Sequence, residues 1–308
     1  MAYLSDYGGI WGSVPQTAGT IHWVAPGAGA YTIAGQSYTA SDNNDGLSPE
    51  RALASIGQAV TNATANAGDV IVALPGTHAP SASIAMSKAG VTLTGLPAGA
   101  GNFTHQKTTI SPVTGDQTIN VTAIQVEIAY LHFTVLTADS AIDATAAASF
   151  LHVHHCSFDM NTAAVNAGTI GVDFIGAAND VIVDTCYFNC DGAQGPAIVA
   201  GATVGCLIQN CIFVCTASTW VSAITQAAAG RRLIVRHCDW QVGNGAITNG
   251  ILGTTGGVVS MVLVSHCNFA DSVTKGVDGY DAGDAEIVEC YQAGLGSTDG
   301  GVLVVATT

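Results

Sequence analysis

Between Phe150 and Phe158 the chain reads FLHVHHCSF, which sets His152, His154, His155 and Cys156 within five positions. Imidazole nitrogens and thiolate sulfur are favoured ligands of zinc and related ions. Alternate side chains of an extended strand share a face, so His152 and His154 could grip one ion. Candidate chemistry of other kinds lies elsewhere. SDNNDG, with Asp42 and Asp45, opens like a calcium loop but lacks the downstream glutamate, and an Asx-rich turn accounts for it without an ion. VDGYDAGDAE gathers Asp278, Asp281 and Asp284, the best local carboxylate set for glycosidic-bond hydrolysis. Aspartates beside glycine are also ordinary turn residues. Arg231, Arg232 and Arg236 are the clustered cations that could act as a base, with Asp239 the acid near them.

What positions these residues is a repeat. VIVDTCYF at Val181, CLIQNCIF at Cys206, LIVRHCDW at Leu233 and MVLVSHCNF at Met261 echo the histidine stretch. The cysteine and the aromatic persist while the histidines mostly vanish. Leu131, Cys156, Cys186, Cys211, Cys238, Cys267 and Cys290 follow one another at 25, 30, 25, 27, 29 and 23 residues. A second marker, a small residue followed by Ile or Val, keeps the same step. Its Ile and Val positions, from Ile142 through Val172, Ile198, Ile224, Ile251 and Val277 to Val302, are spaced by 30, 26, 26, 27, 26 and 25. The units are rich in β-branched residues, broken by Gly and Asn, and free of helical periodicity. A strand repeat of about 25 residues implies a parallel β-helix, each repeat one coil of a stacked prism.

Alternation within a coil assigns the faces. Val181 and Val183 point inward and Asp184 outward; after a bend, Cys186, Phe188 and Cys190 point inward again. Leu151, Val153, Cys156, Phe158 and Met160 match them, as do Leu233, Val235, Cys238, Trp240 and Val242. The residue before each cysteine (Tyr130, His155, Thr185, Asn210, His237, His266) sits at the bend, where a left-handed backbone is expected and Asn and His are favoured. His155, His237 and His266 are therefore corner residues. The cysteines, including Cys206 and Cys215, fall on interior positions and act as small apolar filler, with Cys156, Cys186, Cys211, Cys238, Cys267 and Cys290 as a core ladder. Zinc at Cys186 with Cys190, or Cys211 with Cys215, is disfavoured because i and i+4 on a strand are roughly 13 Å apart.

The ladder also limits the outward chemistry. Asp184 is the next outward residue after His154, but Gln209, Arg236 and Ser265 follow and do not extend a ligand set. No metal is assigned, and the histidines are taken as solvated strand residues. Asp173 and Asp278 face outward on one sheet but are four coils, roughly 19 Å, apart, too far for a catalytic pair. Val199 and Leu252 occupy the outward slot held elsewhere by Asp143, Asp173, Thr225 and Asp278, which makes that face partly apolar.

Composition bounds the partners. Of 308 residues, 48% are apolar and only 9% charged, against roughly 25% charged in ordinary soluble domains. Seven Lys and Arg face 22 Asp and Glu, a net charge of −15, which excludes nucleic acid and anionic membrane as direct partners. The opening MAYLSDYGGIWGSVPQ lacks a basic and an apolar signal region. Synthesis in a reducing cytoplasm with unpaired thiols is the expectation. Earlier, less regular coils are visible in DVIVALPGTH, VTLTGLPAG and TTISPVTG. About ten coils over residues 69–308 are expected, with a capping helix and its opening turn at 41–68 and an arm or attachment segment at 1–40. Ser48-Pro49-Glu50 reads as the helix start, and Leu53, Ile56 and Val60 as its apolar stripe, running to about Thr64.

SDNNDGLSPERALASIGQAV, GDVIVALPGTH and AGVTLTGL together resemble the opening of right-handed parallel β-helix proteins of the pectate-lyase-like superfamily, with cover over roughly residues 40 to 308. The resemblance implies an all-β fold of that class. It extends to the virion proteins of tailed bacteriophages, which commonly form trimers. On this footing the expected role is a non-catalytic virion structural protein, a trimeric capsid decoration or head or tail appendage. Its partners would be copies of itself, other capsid or tail proteins and, as a further candidate, a host surface glycan; no cofactor is expected. The alternative is a polysaccharide-cleaving tailspike-like lyase or hydrolase. The paired-aspartate and Gly-His-Gly patterns of the polygalacturonase-type enzymes are absent, as is a lyase base set beside calcium-binding acids.

Overall fold

The computed structural model describes residues 19–96, 108–113, 117–135, 140–160, 169–174, 176, 178–190, 195–216, 219–226, 231–243, 245–253, 261–270, 273–278, 285–292 and 301–302. Over these the chain winds through three parallel sheets, visiting each in turn on every coil. The first sheet has ten strands, from Ile21–Val24 and Val70–Ala73 through Glu127–Ala129, His152–His154 and Asn179–Asp184 to Ala285–Val288. The second also has ten, nine in parallel from Gly76–His78 to Tyr291–Gln292 and the tenth, Gly301–Val302, antiparallel at its end. The third has eight, from Ile84–Met86 to Val273–Asp278. Parallel strands this short persist because each coil buries one face against a shared interior.

The two ends of the repeat word have separate physical causes. The aromatic becomes a stack. Phe133, Phe158, Phe188, Phe213, Trp240 and Phe269 are fully buried, with successive ring centroids 5.0, 4.6, 5.3, 5.0 and 4.3 Å apart. The spacing follows from the separation of adjacent strands. Small residues of the second marker make room for this stack: a Cβ on Gly171 would lie 2.6 Å from the Ala197 carbonyl oxygen and 2.9 Å from the Phe188 ring.

The cysteine belongs to the bend. Tyr130, His155, Thr185, Asn210, His237 and His266 all have φ between 51° and 54°, and Glu289 continues the series at 51°. The left-handed residue turns the chain from the first sheet to the second while its N–H still donates to the next coil, as His155 does to Asp184 and Thr185 to Gln209. All nine cysteines are buried free thiols. In the six ladder positions Sγ lies 3.2–3.5 Å from the carbonyl two residues earlier and 3.5–3.9 Å from a carbonyl one coil back. The thiol is thus more than filler. It donates weakly into the carbonyls gathered at the corner while presenting an apolar surface to the core.

The N-terminal region departs from expectation. Ser48 caps nothing, and Pro49–Arg51 is a single 3-10 turn. The α-helix is Ile56–Asn62, capped by Ser55, whose side chain accepts from Gln58 N. Leu53 interrupts the expected helix because it is drawn into an extended bridge with Val24; its N–H donates to the Trp23 carbonyl. Ile56 and Val60 do cover the core, as expected of the stripe. Within the segment read as an arm, Ile21–Val24 pairs in parallel with Val70–Ala73, so the first sheet starts ahead of the helix. Gly29–Ile33 and Gln36–Ala40 form a hairpin beside it. Asp69 ties these parts together, accepting from Thr20 N and Thr64 N at 2.7 Å each. Residues 1–18 lie outside the described residues.

Candidate functional site

Two outward-facing clusters concentrate the titratable groups. The first stands on the first sheet, where register sets Glu127 beside His152 and Ala129 beside His154. His154 is the hub. Its Nε2 lies 2.6 Å from Glu127 Oε1, so a proton sits between them, and its Nδ1 lies 2.9 Å from His155 Nδ1. One assignment satisfies both contacts: His154 Nε2–H donates to Glu127, and His155 Nδ1–H donates to His154. Thr92 Oγ1 donates to the other Glu127 oxygen at 2.9 Å. The His152 ring packs on His154 with centroids 4.3 Å apart, and Tyr130 stacks on His155 at 4.8 Å. The hydrogen bond with His154 holds the Glu127 carboxyl below its usual range, against an opposing effect of burial. Burial, and then the neighbouring His154, lower the pKa of His152 and of His155.

The expected third partner of the histidine pair was Asp184, and the structure replaces it with Glu127. Asp184 does lie across from His154 in register. Its Oδ1, however, accepts from Thr185 Oγ1 at 2.8 Å and Asn210 Nδ2 at 2.9 Å, which offset burial and hold its carboxyl low. Glu127 is one methylene longer and reaches diagonally to His154 from the preceding coil. VEIAYLHF carries the signal, since alignment on Leu131 puts Glu127 opposite His152. Following the ladder only toward later coils misses it.

The second cluster is on the third sheet, whose outward ladder runs Asn120, Asp143, Asp173, Val199, Thr225, Leu252. Asp143 and Asp173 are direct neighbours, one coil apart, about 4.8 Å between strands. Asp173 is 7% exposed and Asp143 half-buried. Burial first, and the charge of Asp143 second, push the Asp173 carboxyl up to about 7. Near neutral pH Asp173 is therefore part-protonated beside the Asp143 carboxylate, the arrangement in which one carboxyl serves as acid and its neighbour as base or nucleophile. Both residues fall in the outward slot that the repeat predicts, where Asp173 meets Asp143 rather than the distant Asp278.

The remaining candidates disperse. Asp42 accepts from Ala54 N, Ser55 N and Ser55 Oγ, bracing the helix start. Asp45 accepts from Leu47 N and pairs with Arg51 at 3.1 Å. The two carboxylates are occupied by these separate tasks. Asp42 also borders a cavity of about 440 Å³ lined by Ser55, His78 and Ser83 among others. Arg232 pairs with Asp180 and Arg236 with Gln209, each in a structural contact between coils. Asp278 takes its place in the third sheet opposite Leu252, while Asp281 and Asp284 lie outside the described residues.

Neither a family profile nor a curated protein matches the sequence. Solved structures do match in shape. A pectin methylesterase in complex with a hexasaccharide has a TM-score of 0.57 at 11% identity, covering 83% of this chain and 90% of that one. A deglycosylated pectin methylesterase from Aspergillus niger gives 0.55 at 14% identity over 96% and 92%, and a pectate lyase 0.53 at 11% over 91% and 81%. At these identities the likeness establishes architecture, and the architecture is the right-handed parallel β-helix.

Proposed function

We propose that the chain cleaves a polysaccharide, with Asp143 and Asp173 as its working carboxylates. The observation that carries the reading is their adjacency on the third sheet, with Asp173 at about 7. Retaining glycoside hydrolases hold two carboxyl groups about 5–5.5 Å apart, and neighbouring coils supply that spacing. Asp173 in its protonated form donates to the leaving glycosidic oxygen as Asp143, ionised and more exposed, attacks the anomeric carbon. Water then cleaves the glycosyl–Asp143 ester, returning its proton to Asp173. The shape likeness to a pectin methylesterase and a pectate lyase supports a glycan as substrate. Reducing ends released from a panel of neutral and acidic polysaccharides test the proposal. Activity that is abolished in both Asp173→Asn and Asp143→Asn is expected; activity indifferent to both, or silence across the panel, overturns it.

A second reading, a virion structural protein assembled as a trimer on a capsid or tail, draws support from a different surface. On the first sheet Ile182, Leu207, Ile234 and Leu263 stand in register as an outward aliphatic ladder, each only half-buried. With 9% of residues charged, such a strip suits packing against copies of the chain. Mass in solution separates the cases: a trimer favours assembly, a monomer removes its main support.

A further inference from the structure

We infer that Glu127, His152 and His154 form a binding site for one divalent transition metal ion, zinc being the reference case. The three offer one carboxylate oxygen and two imidazole nitrogens, all within 4.8 Å of one another, on adjacent strands of a rigid sheet. In a tetrahedral site with bonds of about 2.0–2.1 Å the ligand atoms stand roughly 3.3 Å apart. Small side-chain rotations therefore close the set, and the backbone stays where the ladder holds it. Two nitrogens and one carboxylate leave a coordination position open for water, the composition of exposed rather than purely structural metal sites.

The surroundings are those a metal site needs. His152 Nε2 is shielded from solvent and has no hydrogen-bond partner, a cost that folding seldom tolerates without a ligand. The proton between Glu127 and His154 occupies the position the ion would take, and binding releases it to solvent. The proton between the two histidines shifts from His155 Nδ1 onto His154 Nδ1, which donates it back to His155 Nδ1, already 2.9 Å away, and His155 takes up a proton from solvent at Nε2. Metal-bound histidines characteristically anchor their second nitrogen in this way. Thr92 engages Glu127 Oε2 and leaves Oε1 as the single carboxylate ligand atom. Tyr130, stacked on His155, fixes the outer ring. The inference is independent of the aspartate pair, which lies on another sheet.

The test uses the tag-free full chain, stripped with a chelator and titrated with Zn²⁺ by calorimetry and with Co²⁺ by visible absorption. One equivalent per chain is expected, with cobalt d–d bands and no thiolate charge-transfer band. Zinc should raise the melting temperature of the wild type and leave that of Glu127→Gln unchanged. His152→Ala and Glu127→Gln should each weaken binding at least about tenfold. His152→Gln, closer in size, should match His152→Ala in binding while melting like the wild type, which separates lost ligation from lost folding. Absence of binding, binding retained in these variants, or a thiolate band would overturn the inference.

Discussion

Asp173 lies directly across from Asp143, one coil on, and is the more deeply covered of the two. Burial together with this neighbour lifts its carboxyl to about 7 from an ordinary 3.8. The pair works against the fold at neutral pH, and that tension is measurable.

Between about pH 4 and 7 the folded chain retains a proton at Asp173 that the unfolded chain has released. Stability from this group is therefore complete below the unfolded value and declines as pH rises through the folded one. Asp173→Asn, which stays neutral, should raise the melting temperature at pH 8 and change it little at pH 4. Thermal unfolding of both proteins across that range checks the sign. An equal effect at the two ends would contradict it.

The aromatic stack should dominate cohesion of the central coils. Phe188 sits between rings on both sides at 4.6 and 5.3 Å. Phe188→Ala should cost about 3–5 kcal/mol, the usual cost of emptying a buried aromatic site. Phe188→Leu should cost noticeably less. Denaturant titration reads both.

Thr185 is β-branched yet held at φ 51°, where L-residues pay roughly 1–2 kcal/mol. Asn210 occupies the equivalent corner in the next coil at φ 53°. Thr185→Asn should therefore stabilise the chain by about 1 kcal/mol, despite losing the hydroxyl contact with Asp184. Unfolding of the single variant measures it.

All nine thiols are interior, and burial pushes Cys206 up to about 12. A chromogenic thiol reagent should find none reactive in the native protein and nine after denaturation. Rapid reaction of several thiols in the native state would contradict their placement.

Much of the fold was legible because a coil imposes a phase on the chain. Inside, corner and outside recur at fixed places, so the φ values near 52° at Tyr130, His155 and Asn210 follow from counting back one residue from each interior marker. Contacts across coils were less legible. Glu127 meets His154 diagonally, through a side chain one methylene longer than aspartate, and a ladder of like positions does not encode that reach. Asp143 was placed correctly, but its meaning depends on Asp173 being covered, which is a tertiary property. The N-terminal strand Ile21–Val24 escaped notice because one four-residue strand shows no period. Ser48 misled because Ser-Pro-Glu is a strong local start signal, overridden here by the bridge between Leu53 and Val24.

The functional proposal depends on Asp173 keeping its proton up to near neutrality beside Asp143. Carboxyl-carbon titration of protein labelled with ¹³C-aspartate, with Asp173 assigned by the resonance missing from Asp173→Asn, observes this directly. The expected midpoint is about 7, falling part of the way toward normal in Asp143→Asn. A midpoint near 3.8 in the wild type, or one unmoved by Asp143→Asn, would contradict the assignment.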